Sequence, residues 1–146
     1  MNNLRELYQE VILDHYRQPR NAGHMVDANR TAEGFNPLCG DKVKLFLKVD
    51  NGVIRDVRFE GTGCAIATAS ASLMTESIKG KSKEEALSLL ESMHEMLIRG
   101  IKTGDVGKLE VLAGVHEYPQ RVKCATLAWH TLKAALESAD EPVTTE

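Results

Sequence analysis

The chain has 146 residues, 42% of them hydrophobic, which is enough to bury one core without disulfide staples; a single domain spanning 1–146 is the expectation. Its 18 basic and 21 acidic residues leave a formal charge of −3, so there is no basic field for nucleic acid or an anionic membrane surface, and neither partner is expected. No stretch reaches the roughly eighteen apolar residues of a membrane span, and the start Met1 to Leu7 lacks the apolar run of a signal peptide; the expected location is cytoplasmic.

Leu4, Leu7, Tyr8, Val11, Ile12 and His15 recur at helical spacing, with Arg5, Glu6, Gln9 and Glu10 between them. This predicts an amphipathic first helix, bounded by Pro19. From Gln18 to Gly34 the periodicity is weak and proline, glycine and asparagine are frequent, which reads as a surface connection.

Between Asp41 and Glu60 the pattern alternates. Val43, Leu45, Leu47 and Val49 stand against Lys42, Lys44, Phe46 and Lys48, and Asp50-Asn51-Gly52 supplies a tight turn before Val53, Val57 and Phe59. A hairpin with one wet face follows.

Small residues from Cys64 to Ser77 favour a helix, with Gly80 as its left-handed cap. Ser82-Lys83-Glu84-Glu85 has the form of a capping box, opening a helix with Ala86, Leu89, Leu90, Met93 and Leu97 on its apolar side. Three glycines mark a loop from Arg99 to Gly107, and Leu109, Leu112 and Val115 predict a short helix before Pro119. The last long helix starts near Pro119, buries Leu127, Ala128, Thr131, Leu132, Ala135 and Leu136, and gives way to a polar C-terminal tail at 140–146. The predicted fold class is α+β, a small antiparallel β-sheet packed against several α-helices.

Chemistry concentrates at three cysteines. They lie in Asn36-Pro37-Leu38-Cys39-Gly40-Asp41, in Gly61-Thr62-Gly63-Cys64 and in Tyr118-Pro119-Gln120-Arg121-Val122-Lys123-Cys124. An odd number of thiols in a reducing compartment is a poor disulfide framework and a better metal set. Cys39 and Cys64 bracket the predicted hairpin, so pairing would bring both to the same end of it. Cys39, Asp41, Cys64 and Cys124 supply four donors, enough for a tetrahedral zinc ion, while thiolates also hold iron and iron–sulfur clusters. The competing reading is three unrelated cysteines buried as small hydrophobes, with Asp41 accepting turn hydrogen bonds.

Cys64 and Cys124 fall near predicted helix starts, where free N–H groups and the helix dipole favour a thiolate. Cys39 precedes Gly40, which leaves room for a metal or a second protein to approach. Three thiolates and a carboxylate around a divalent ion retain negative charge, which Arg121 and Lys123 are placed to offset. The five histidines show no ligand spacing and are assigned to packing or solvent.

These segments, with Ala69-Ser70-Ala71-Ser72-Leu73-Met74-Thr75, Gly80-Lys81 and Arg121-Val122-Lys123-Cys124-Ala125-Thr126-Leu127-Ala128-Trp129, resemble in order those of the U-type iron–sulfur cluster assembly proteins (the IscU/NifU N-terminal-like family). The likeness runs from Leu7-Tyr8 to Leu136. Lys123 stands where the scaffold branch has histidine, and the insertion around Ile98 to Val115 is absent from that branch; both features look like the SufU branch. The resemblance implies zinc held by Cys39, Asp41, Cys64 and Cys124. It also implies a zinc-dependent sulfurtransferase that collects persulfide sulfur on Cys39 from a SufS-type cysteine desulfurase and stimulates its turnover. Cys39 would leave zinc as that partner docks, and the sulfur would pass to the downstream iron–sulfur assembly machinery. The alternative is a scaffold that builds and transfers a [2Fe–2S] cluster, with iron or the cluster in place of zinc.

Overall fold

The computed structural model describes residues 3–37, 40–137 and 143–144. In chain order these form helix α1 (Asn3–Arg17), strands β1 (Arg30–Asn36), β2 (Asp41–Asp50) and β3 (Val53–Thr62), and helices α2 (Ala65–Ile78) and α3 (Lys83–His94). A π-helical turn (Glu95–Arg99), a 3₁₀ segment (Gly107–Glu117), helix α4 (Pro119–Leu136) and the short strand β4 (Val143–Thr144) complete them. The fold is α+β, as the periodicities predict.

The sheet runs β3-β2-β1-β4, antiparallel except for the parallel β1–β4 edge. Asn51 and Gly52 both take positive φ, 52° and 76°, which gives the two-residue turn the twist that joins β2 to β3. Val43, Leu45, Leu47, Val57 and Phe59 face inward and bury against α2 and α4, where Leu73, Met74, Leu127, Trp129 and Leu132 complete the core.

Three local expectations change. The segment read as a connection up to Gly34 contains β1, whose buried positions Ala32, Gly34 and Asn36 are too small or polar to register as a hydrophobic stripe. Its earlier part is also fastened: Gly23 N–H donates to the Phe59 carbonyl at 2.8 Å, and Phe59 N–H to that of Asn21 at 3.0 Å, which covers the edge of β3. Phe46, expected on the wet face, is buried beneath the His24 ring at a centroid distance of 4.7 Å. Leu7, expected on the apolar side of α1, is exposed. The predicted polar tail falls mostly outside the described residues, but Val143–Thr144 within it pairs with β1 at Gly34 and Phe35.

α2 ends as the glycine predicts, with Lys79 at the cap and Gly80 at φ 88°. The capping box of α3 makes both bonds, Glu85 N–H to Ser82 Oγ and Ser82 N–H to the Glu85 carboxylate. Small residues on α2 serve close packing within the domain: Ala69, Ser70, Ala71 and Ser72 are all buried. Arg20 N–H donates to Ser72 Oγ at 2.8 Å, leaving the hydroxyl proton for Nδ1 of the fully buried His15 at 2.7 Å. His15 therefore joins α1 to α2 as a neutral imidazole. Burial, followed by the positive charges of Lys108 and Arg20, holds its proton affinity below that of a free imidazole.

Candidate metal centre

Asp41 opens β2 opposite Asn36 of β1 and is 1% exposed. Its Oδ1 accepts a hydrogen bond from Cys64 N–H at 3.0 Å, and its Oδ2 lies 3.9 Å from Cys64 Sγ. A buried carboxylate needs such partners to offset the loss of water. Cys64 is the N-cap of α2, with Sγ accepting from Ala67 N–H at 3.4 Å. The thiol thus faces unpaired helix donors, as its sequence position predicts. Cys124 lies in the second turn of α4 and is buried.

The structure brings Asp41, Cys64 and Cys124 together, with one donor atom from each within 4.8 Å of the others. Bonds of about 2.0–2.3 Å to oxygen and sulfur require donor separations of roughly 3.5–3.8 Å around a tetrahedral zinc ion. Side-chain adjustments that shorten a separation by up to about 1.3 Å would close that difference, and two sulfurs with one carboxylate form a donor set that zinc accepts. The residues present fit the metal.

Both glycines before Cys64 serve space rather than turn conformation. Gly61 belongs to β3, where a Cβ would stand 2.2 Å from the Lys42 carbonyl oxygen. At Gly63 a Cβ would stand 2.8 Å from Asp41 Oδ1. Bare backbone at these two places is what lets Cys64 approach Asp41.

Cys39 lies outside the described residues. Gly40 takes φ 76° and its N–H donates to the Asn36 carbonyl at 2.8 Å, which joins the end of β1 to the residue before Asp41. Arg121 is exposed on the first turn of α4, its guanidinium 6.0 Å from the Tyr118 ring centre. Lys123 is half-buried next to Cys124.

A bridge absent from the sequence reading of the site ties its helices together. Ser70 of α2 donates to the Ala125 carbonyl of α4 at 2.6 Å, and its oxygen accepts from Trp129 Nε1–H at 3.2 Å. Ala125 adjoins Cys124, so this buried bridge helps set the separation of the two thiol-bearing helices. Its signal in the sequence is only a serine in a small-residue run. A groove of about 700 Å³ lies beside the centre, lined by Tyr8, Ile12, Ile66, Val115, Tyr118 and Arg121 among others.

The NifU-like N-terminal domain model matches residues 7–141. The chain belongs to that family. It is 45% identical over 134 residues to a zinc-dependent sulfurtransferase SufU of Bacillus subtilis (strain 168), covering 90% of each chain. It is 43% identical to an iron–sulfur cluster assembly scaffold protein IscU of Streptococcus pyogenes serotype M1, covering 94% of this chain and 87% of the relative. Among solved structures, the SUF-system protein FiSufU from Fervidobacterium islandicum AW-1 superimposes with a TM-score of 0.83 at 39% identity, covering 90% of this chain and 98% of that one.

Proposed function

We propose that this NifU-like domain works in iron–sulfur cluster assembly as a zinc-dependent sulfurtransferase that takes persulfide sulfur from a cysteine desulfurase in the cytoplasm. The observation that carries this reading is the convergence of Asp41, Cys64 and Cys124 on one point at the starts of β2, α2 and α4. Cys39 is the fourth ligand and the sulfur acceptor, held in sequence beside Asp41.

Zinc, when bound by these residues, supplies a positive centre that keeps coordinated thiols deprotonated. The Cys39 thiolate attacks the outer sulfur of the partner's persulfide. The partner's S–S bond breaks, a new S–S bond forms on Cys39, and the partner's cysteine leaves as a thiolate, with no net oxidation. Asp41 and the α2 N-terminus hold Cys64 in place, so the metal ligands stay organised while Cys39 exchanges partners. The groove walled by Ile66 and Tyr118 offers the desulfurase an apolar surface beside the centre. Arg121 and Lys123 supply positive charge near the thiolates.

A scaffold for a [2Fe–2S] cluster is the second reading, supported by relatives named as scaffolds at 43% and 45% identity, beside 45% for the sulfurtransferase. Lys123 weighs against it, since an ammonium has no lone pair for a metal.

The deciding experiment combines metal analysis with a desulfurase assay. The sulfurtransferase reading expects about one tightly held zinc per chain, faster alanine release by the desulfurase, and loss of that stimulation in Cys39→Ala. Absence of tightly held zinc with stimulation unaffected by Cys39→Ala refutes it. A visible chromophore after anaerobic iron and sulfide loading, transferable to an apo-acceptor, supports the scaffold instead.

A further inference from the structure

Away from the cysteines, α3 and α4 bring two histidines side by side. His94 is the last residue of α3, exposed and directly before the π-helical turn; His130 is half-buried on α4. Their ring centres are 6.0 Å apart, with the planes inclined at 43°. Neither imidazole has a hydrogen-bond partner among the described residues. His130 is therefore a partly desolvated ring with its nitrogens uncommitted, opposite a second ring on another element.

We propose that His94 and His130 form a two-histidine site for a divalent transition-metal ion of the zinc, nickel or copper class, distinct from the cysteine centre. A metal bonds imidazole nitrogen at about 2.0–2.1 Å, so two rings that share an ion have centres no more than roughly 6.4 Å apart. That limit belongs to ligands on opposite sides of the ion; tetrahedral or cis ligation needs centres roughly 4.5–5.2 Å apart, so from the observed 6.0 Å the exposed His94 ring must close by about an ångström. Imidazole suits these ions, and nitrogen-only ligation favours copper and nickel over iron or manganese.

Burial lowers the proton affinity of His130, and the nearby His94 and Lys133 charges act in the same direction. The lone pair is then free at neutral pH. His130 is held by the packing of α4, while exposed His94 can swing to meet the ion. Among the described residues no further histidine, cysteine or carboxylate joins the pair at ligand distance, so water completes the coordination. Affinity is weaker than that of a four-ligand structural site.

Occupancy would pin the end of α3 to α4, roughly 9 Å along the helix axis from Cys124. It would also add a second, exchangeable metal equivalent when the protein is loaded. Nothing here depends on sulfur transfer.

The test uses the full chain with its cysteine centre zinc-loaded and Ni²⁺ as the probe, followed by calorimetry and by NMR of the imidazole groups. One Ni²⁺ should bind per chain at pH 7.5 without releasing zinc, and paramagnetic broadening should remove the His94 and His130 signals before those of His15, His24 and His116. Binding should weaken at least about tenfold, or 1.4 kcal/mol, in His94→Ala and in His130→Gln. His94 is exposed, so its variant tests the pair without disturbing the core. Uniform broadening of all five histidines, a Kd above about 1 mM, or binding unchanged in His94→Ala overturns the site.

Discussion

The Asp41 carboxylate accepts the backbone N–H of Cys64 at 3.0 Å, so a metal-ligand candidate at the start of one strand holds another at the start of a helix. This one bond couples the end of the β-sheet to the N-terminus of α2. It gives Asp41 two roles, as a donor to metal and as the acceptor that positions a neighbouring donor. Asp41→Asn keeps an oxygen for Cys64 N–H but removes the charge, whereas Asp41→Ala removes both. Competition with a chromophoric zinc chelator should show both variants weakened, Asp41→Ala by more than the about 10–100-fold typical of losing an outer hydrogen-bond partner alone. Equal zinc affinity in Asp41→Ala and the parent would remove Asp41 from the ligand set.

Gly63→Ala probes the close approach without touching a ligand. The new methyl group would meet Asp41 Oδ1 at 2.8 Å and Ala67 Cβ at 3.3 Å, forcing the carboxylate away from Cys64. Zinc affinity should fall about tenfold or more, with circular dichroism unchanged. The Co²⁺-substituted protein should show shifted ligand-field bands. Unaltered bands and affinity would mean that the centre tolerates this movement.

Ser70→Ala removes the bridge between α2 and α4. It leaves the buried Trp129 N–H and the Ala125 carbonyl without the serine oxygen, a loss of about 1–3 kcal/mol in urea unfolding. Trp129 is the chain's one tryptophan, so its fluorescence reports the same event. A change below about 0.5 kcal/mol would place the variant among ordinary surface substitutions and show that the bridge contributes little.

Stability should fall on acidification through His15. Burial lowers its proton affinity in the folded protein, with Lys108 and Arg20 adding to the effect, so the unfolded chain binds the proton more tightly. The contribution is complete above the unfolded value of about 6.5 and is lost as pH falls from there through the lower folded value. His130 acts with the same sign. In metal-free protein, where zinc release does not contribute, His15→Asn should flatten the slope of unfolding free energy between about pH 7 and 5. Asn retains an acceptor for the Ser72 hydroxyl, so the slope rather than the absolute stability is the readout. An unchanged slope would assign the acid sensitivity elsewhere.

Local chemistry was legible along the chain wherever one residue's conformation or one element's periodicity carried it. Asn51-Gly52 specified its turn because both positions take positive φ. Ser82 and Glu85 specified a helix start because their bonds close within one turn. The alternation from Val43 to Leu47 specified a strand and the inward face that carries Val43, Leu45 and Leu47. At the centre, cysteine type and helix-start placement pointed to Cys64 and Cys124, and Asp41 followed as the nearby carboxylate.

Tertiary structure decided what depends on distance between elements. β1 carries Ala32, Gly34 and Asn36 inward, too weak a pattern to show before β2 pairs with it. Phe46 reads as exposed until His24 crosses over it. The lack of a side chain at Gly61 and Gly63 matters only because Lys42 and Asp41 stand against them. Likewise Ser70 with Ala125, and His94 with His130, meet only when α2, α3 and α4 pack. Sequence by itself determined which groups could bind metal or end an element, because those properties belong to single residues and short spacings. Folding decided which of them meet, because burial of one apolar core sets the separations among helices and strands.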